Sequence, residues 1–266
     1  MCTLIALHRV AGASGTLVAA NRDEFYARPT RPPEQLAPRV VAGVDVSQGG
    51  TWLGVHASGL FVGLTNQRSF GGRDPSKQTR GAVVTDALAA GGLDASLQVV
   101  AGLDAREYNG FNLLLGDGDR LFVAYARPEQ REVELHPLAP GVHVLGNDRL
   151  QSPDFPKAAR IAADAEQHVA THASMLLRDQ VEPLRTLLAS HTQPELTTLH
   201  VPAGSVFTAE LVQALEATCI HTPHYGTVSA TLLAVSPTGV SEYWYADGPP
   251  CRTAFRPVPL SALLLP

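Results

Sequence analysis

The sequence predicts an α/β protein of the α+β type: two mainly antiparallel sheets packed face to face, with helices outside them. Three observations carry that expectation. Apolar runs of strand length come in pairs separated by short turn-like stretches, and strands joined by hairpins are antiparallel. Several of these runs are apolar at successive positions, so both of their faces must be covered. Stretches with apolar residues recurring at three and four positions lie between the strand pairs, which is the spacing of amphipathic helices. Stacked sheets with helices outside satisfy all three at once.

The elements follow in order. "CTLIAL" (2–7) and "TLVAA" (16–20) bracket "GASG" and read as a first hairpin. "RPTRPPEQLAPR" (28–39) carries four prolines and is expected to be a surface loop. "GGTWLGV" (49–55) and "LFVGLTN" (60–66) form a second hairpin, and residues 81–91 and 94–103 two Ala- and Leu-rich helices. "FNLLLG" (111–116) and "RLFVAYA" (120–126) flank the turn signal "DGD", and "REVELHPL" and "GVHVLGN" add two strands. Residues 155–170 and 175–191 have helical periodicity, with Pro183 expected to start, kink or split the second. A helix over 208–219 follows Thr208, an N-cap residue type, and "TVSATLLAV" (227–235) with "VSEYWYA" (240–246) closes the chain as a last hairpin. There is no internal repeat and no linker, so one domain over 1–266 is expected.

Composition narrows the function. The chain has 266 residues, enough to bury a large core without disulfide or metal staples. Its formal charge is −5 with no basic block, which argues against nucleic acid as a partner. No apolar run is long enough to span a membrane. "MCTLIALHRV" has no basic stretch before its short apolar run, so it does not read as a signal peptide and a cytoplasmic location is expected. Cys2, Cys219 and Cys251 are odd in number and widely spaced, which suggests neither a disulfide framework nor a zinc site.

The informative stretch is "NRDE", Asn21 to Glu24, which ends an apolar strand in an amide and three charges. Alternation puts Asn21 and Asp23 on one side and Arg22 and Glu24 on the other. A solvated strand end with internal Arg–carboxylate pairing is one reading. The other starts from Cys2, one hairpin away. A small residue at position 2 permits removal of Met1, leaving a cysteine that carries both a thiol and an α-amine. Such an amine has a reference pKa of about 7.7–8.0 and can take the thiol proton, so that the thiolate attacks a carbonyl. Cys2 equally suits a small apolar residue opening a buried strand.

The segments "MCTLIALH", "LVAANRDEFYARPT", "GGTWLGV", "LTNQR", "YNGFNLLLGD", "LGNDRLQSPDFPK" and "YGT" occur in order from residue 2 to about 227. Together they resemble the NRDE family (transport and Golgi organisation protein 2-like). The resemblance implies an N-terminal nucleophile (Ntn) hydrolase fold, a four-layer α/β/β/α sandwich. The penicillin V acylase and bile salt hydrolase enzymes are similar more loosely, and that likeness implies a nucleophilic Cys2. It further implies a catalytic Arg22, an orienting carboxylate at Asp23 or Glu24, and an oxyanion-hole asparagine at Asn147. Asn66 is a second candidate donor, though both asparagines also suit turn caps. Asn21, Glu24, Trp52 and Asn66 are expected around a substrate, Trp52 as core or pocket wall. Family members often read "YGTR" where this chain reads "YGTV", so Val228 stands in place of an arginine, for which Arg252 is a candidate substitute.

Two function classes lead. One is a cysteine Ntn amidohydrolase or acylase acting on non-peptide C–N bonds, with no cofactor. The other, implied by the family's association with haem trafficking and acyl-CoA metabolism, is a non-catalytic carrier of an amphipathic ligand such as haem or acyl-CoA. A protein–protein module is a third. Either leading class implies a small amphipathic or acyl-type ligand in a pocket with an apolar wall and a charged end. His168 and His172 stand at i and i+4 on a helix and read as a solvated face rather than a metal pair. His221 and His224 flank Pro223 in a loop, and Cys219 and Cys251 read as ordinary thiols.

Overall fold

The computed structural model describes residues 2–10, 15–69, 72–199, 201, 205 and 207–264. Met1 and most of the "GASG" turn lie outside them. The strands are β1 (Cys2–His8), β2 (Thr16–Phe25), β3 (Thr30–Ala37), β4 (Val40–Asp45), β5 (Leu53–His56), β6 (Phe61–Asn66), β7 (Phe111–Gly116), β8 (Leu121–Ala126), β9 (Glu134–Leu138), β10 (Gly141–Leu145), β11 (Tyr225–Ser236), β12 (Gly239–Ala246) and β13 (Arg256–Pro257). The helices are α1 (Arg80–Ala89), α2 (Leu93–Ala101), α3 (Pro156–His172), α4 (Leu177–Leu188), α5 (Ala209–Leu215) and α6 (Leu260–Leu263).

Two antiparallel sheets result, one ordered β10-β1-β2-β11-β12-β13 and the other β3-β4-β5-β6-β7-β8-β9. The apolar residues sort into three layers, as the two-faced strands require. Leu4, Ala6, Val18 and Ala20 meet Leu53, Val55 and Phe61 between the sheets. Ile5, Leu7, Leu17 and Ala19 pack outward on Ile161, Ala165, Leu184 and Leu188 of α3 and α4. The other sheet turns Val62, Leu64 and Leu113 toward Val84, Leu88 and Val100 of α1 and α2. The layers therefore run helix, sheet, sheet, helix, the sandwich that the sequence predicts.

Three details differ from expectation. The proline-rich "RPTRPPEQLAPR" is not a loop: it forms β3, the edge of the seven-stranded sheet, the position where a strand tolerates proline. Its pairing with β4 shifts register between Arg31 and Glu34, around Pro32 and Pro33. Pro183 neither starts nor ends α4 but lies inside it. The buried stripe Leu177, Val181, Leu184 and Leu188 holds that helix on the sheet despite the lost hydrogen bond. His168 is buried rather than solvated: its Nε2 donates to Gln180 Oε1 at 2.8 Å, and its ring stacks on His172.

A polar seam joins the sheets at one end of the core. The Gly146 carbonyl, just after β10, accepts from Thr65 Oγ1 of β6 and from Asn112 Nδ2 of β7. Asn112 Oδ1 in turn accepts from Arg127 Nη2 at 2.8 Å. Asn112 and Thr65 are fully buried, so each bond forms without competition from water. The seam sets the position of residue 147. Asn112→Ala strips a partner from the buried Arg127 and a donor from Gly146. It is expected to cost about 2–4 kcal/mol of unfolding free energy by denaturant titration. A loss under about 0.5 kcal/mol, the size of an ordinary surface change, would show that the seam is not structural.

Candidate active site

β2 lies between β1 and β11, so its polar end is clasped from both sides. Register places Cys2 across from Arg22 and Thr3 across from Asn21. On the other side Asp23 pairs with Thr227 and Arg22 with Ser229, with a bulge at Val228. Alternation continues from the apolar part of the strands. Cys2 and Arg22 follow Leu4 and Ala20 into the space between the sheets, and Asn21 and Asp23 follow Ala19 toward the helices.

Most of the polar groups are met by named partners, although the buried Asn21 Oδ1 accepts no hydrogen bond among the described residues. Asn21 Nδ2 donates to the carbonyls of Leu188 and Thr218, both at 2.9 Å. It thus ties the end of α4 and the segment before β11 to the sheet. Expected beside a substrate, it faces the helical layer, because its position in the strand alternation leads there. Arg22 is 5% exposed, and its guanidinium lies 4.3 Å over the Trp52 ring of the opposite sheet. Gly43 makes room for that ring: a Cβ there would meet it at 2.5 Å. Arg22 Nη2 is also 3.8 Å from Glu24 Oε2. Glu24 is half-buried and shared with Arg28 Nε at 3.7 Å. Asp23 Oδ1 accepts from Thr227 Oγ1 at 2.6 Å, and the Asp23 carbonyl accepts from the Tyr225 hydroxyl at 2.9 Å.

Asn147 is buried, and its Nδ2 donates to the Asn66 carbonyl at 2.7 Å. The Arg68 N–H returns a bond to the Asn147 carbonyl at 2.7 Å. Leu4 pairs with Leu145 across β1 and β10, and Asn147 lies two residues past the end of β10. The Asn147 amide and the Asn66 carbonyl at the end of β6 are thus joined across the two sheets.

Two cations complete the surroundings, and neither was singled out in the sequence. Lys157, in the first turn of α3, is 1% exposed and donates Nζ to the Leu215 carbonyl at 3.1 Å. Burial pushes its ammonium below the usual lysine value, while Asp23 and Glu216 hold it up. Its signal was legible: it sits on the stripe of Ala158, Ile161 and Ala165, where a cation has no solvent. Arg80, the first residue of α1, is pushed down to about 10 by burial and by Arg73 and Arg28, with Cys2 and Glu24 acting the other way.

Burial pushes the Cys2 thiol up, with the Asp23 carboxylate acting in the same direction, while the Asp23 backbone N–H and Arg22 act the other way. The residue is partly exposed, but its sulfur points into the low-dielectric space between the sheets, where the neutral form is favoured. Burial likewise pushes the Asp23 carboxyl up, against Lys157, Thr227 and Arg22.

A cleft of about 540 Å³ adjoins the site through Thr227, the partner of Asp23. Tyr26, Pro29, Val228 and Pro249 give it an apolar side, and Arg28 and Arg252 a cationic one. Val228, where the family resemblance expects arginine, thus shares a cleft with Arg252. No helix among the described residues is long and apolar enough to cross a membrane.

A family model described as transport and Golgi organisation 2 matches residues 1–245. The transport and Golgi organization protein 2 homolog of Bos taurus is 29% identical over 238 residues, covering 84% of this chain and 83% of that protein. The Homo sapiens homolog is 28% identical over 237 residues, with the same coverage. Among solved structures, a mutant conjugated bile acid hydrolase from Clostridium perfringens matches with a TM-score of 0.55 at 10% identity, over 97% of this chain and 96% of that one. An N-acylethanolamine-hydrolyzing acid amidase ortholog from Caenorhabditis elegans matches with a TM-score of 0.55 at 11% identity, over 89% and 93% of the two chains. At such identities the likeness is one of fold.

The charge balance at Cys2 has a measurable sign. In protein that retains Met1, iodoacetamide alkylation of Cys2, followed by peptide mass spectrometry, is expected to have its pH midpoint above the free-cysteine value of about 8.5. Asp23→Asn should move the midpoint down and Arg22→Met should move it further up. A midpoint below that of free cysteine contradicts the balance described above.

Proposed function

The chain belongs to the transport and Golgi organisation 2 family and has the fold of the N-terminal nucleophile hydrolases, and from that premise we propose that it is a cysteine amidohydrolase or acyl hydrolase whose nucleophile is Cys2. The observation that carries this reading is the register of β1 on β2. Cys2 opens its strand directly across from Arg22 on the face between the sheets, with the Asp23 backbone N–H at its sulfur. Two of the solved structures of like fold are, by name, a conjugated bile acid hydrolase and an N-acylethanolamine-hydrolyzing acid amidase.

Chemistry follows from the residue types. Removal of Met1 frees the α-amine of Cys2, whose reference pKa of about 7.7–8.0 makes it a base at neutral pH. Burial keeps the thiol protonated at rest, so the proton moves to the amine as the sulfur attacks the substrate carbonyl. The developing oxyanion needs donors. Asn147 has two amide N–H groups, of which one is committed to the Asn66 carbonyl, and the other serves this role. The α-ammonium then protonates the leaving amine, and water, activated by the regenerated amine, hydrolyses the thioester. Asp23 stays oriented by Thr227 and balances the ammonium, and Arg22 is held by Trp52 beside the reacting sulfur.

The adjoining cleft supports an acyl amide or acyl ester with an anionic end as substrate. Tyr26, Val228 and Pro249 suit its apolar part, and Arg252 its charge, Arg28 being held by Asp45 and Glu24. Arg252 would then take the place that the family arginine holds at position 228.

Protein purified from its native host is expected to lack Met1 by intact mass and to release amine from at least one member of an N-acyl amide panel. Cys2→Ser should abolish turnover with the fold intact by circular dichroism, and Asn147→Ala should lower kcat by about 10²–10³, the usual effect of one oxyanion donor. Retention of Met1 in active protein, or undiminished turnover by Cys2→Ser, would sink the reading.

A further inference from the structure

The three cysteines are far apart in sequence, yet two of them meet. Cys219 Sγ and Cys251 Sγ are 3.7 Å apart. His221 Nε2 lies 3.6 Å from the first sulfur and 3.2 Å from the second. A ring nitrogen of His191 completes a group whose four ligand atoms all lie within 4.8 Å of one another. We propose that His191, Cys219, His221 and Cys251 form a tetrahedral zinc site of two thiolates and two imidazoles. Wide spacing in the sequence argued against zinc, but the fold removes that objection. The ligands come from three segments, one after α4, one before β11 and one after β12.

The distances match the chemistry. Zinc bonds of about 2.3 Å to sulfur and about 2.0–2.1 Å to nitrogen give tetrahedral edges of roughly 3.8 Å between sulfurs and 3.5 Å between sulfur and nitrogen. The three distances above straddle these values. Four mixed sulfur and nitrogen donors in this geometry select zinc among the common divalent ions. Binding releases the two thiol protons to solvent and changes no oxidation state. Two thiolates and two neutral imidazoles leave Zn²⁺ with no net charge to bury.

The surroundings fit a structural site. His191 Nδ1 is 3.0 Å from the Cys219 carbonyl; donating there fixes the tautomer and leaves Nε2 with the lone pair a metal needs. The Cys219 N–H donates to the Ser190 carbonyl at 2.9 Å, which holds the two segments together without the ion. Cys219 is buried while His191 and His221 are exposed, so the ion has a way in from solvent. Four protein ligands leave no open position, the pattern of a structural rather than a catalytic zinc.

The site also bears on the cleft. His221 and Arg252, the neighbour of Cys251, both line it. Between Cys219 and His221, the Ile220 N–H donates to Thr227 Oγ1 at 2.9 Å, and that hydroxyl donates to Asp23. The ion would therefore clamp the segment that orients Asp23, whatever reaction the chain catalyses.

The test is metal analysis of untagged protein purified under reducing conditions from zinc-replete cells. About one zinc per chain is expected by plasma mass spectrometry. Removal with a strong chelator should lower the melting temperature, and cobalt(II) should restore it with the visible bands and thiolate charge transfer of a tetrahedral site. Cys251→Ser and His221→Ala should each weaken zinc binding roughly 100-fold or more, while Cys2→Ser leaves it unchanged. Should either variant misfold, His191→Gln, at an exposed ligand, must still shift the cobalt spectrum. The proposal is overturned if reduced protein binds neither ion stoichiometrically. It fails equally if binding survives both ligand substitutions, or if native-host protein carries a Cys219–Cys251 disulfide.

Discussion

Burial of Asn21, Arg22 and Asp23 inside the central strand β2 is the constraint on which the rest depends. All three are at most 5% exposed, in a strand clasped by β1 and β11. A buried polar group left unpaired costs about 1–3 kcal/mol, and a buried charge more. Each must therefore be met by protein, and the partners come from different layers. The Asn21 amide requires the end of α4 and the segment at Thr218. Arg22 requires Trp52 from the second sheet, and Asp23 requires Thr227 of β11. No local hairpin can supply these groups, so the polar end of β2 is satisfied only when the whole sandwich has closed.

That coupling also shapes the chemistry. The space that accepts the Cys2 sulfur is made by closing two sheets, and the closure that creates it disfavours the thiolate. Arg22 acts in the opposite direction without prevailing, and each cation close by is held by other partners. Arg22 is stacked on Trp52, Lys157 is directed at Asp23 and the Leu215 carbonyl, and Arg80 at the Gly110 carbonyl. The result is a thiol held protonated in a site of balanced charge. Asn147 belongs to the same arrangement, because the seam through Asn112 and Thr65 fixes the loop that carries it.

Much of this was legible in the sequence. Hairpins of two-faced strands and the period of α3 and α4 require a helix, sheet, sheet, helix order, and alternation through "NRDE" separates Asn21 and Asp23 from Arg22 and Glu24. What the residues could not convey was convergence. Lys157 lies on an apolar stripe, but its carboxylate partner is on another element. Cys219 and Cys251 meet through β11 and β12, and sequence spacing across a strand pair says nothing of distance. The net shift at Cys2 is hidden for a related reason: a neighbouring arginine is visible in the sequence, whereas the depth of a sulfur is not. At β3 the prolines masked a strand, because local propensity does not know that the strand is an edge.

Those prolines have a further consequence. A sheet edge offers a row of unpaired N–H and C=O groups that another chain can add to. β3 lacks two of its donors at Pro32 and Pro33 and is kinked there by a register shift. At the opposite border of the same sheet, β9 carries Pro137. Both margins of the larger sheet are thus poor templates for strand addition. The sheet is thereby hindered from growing into a continuous ribbon with its own copies.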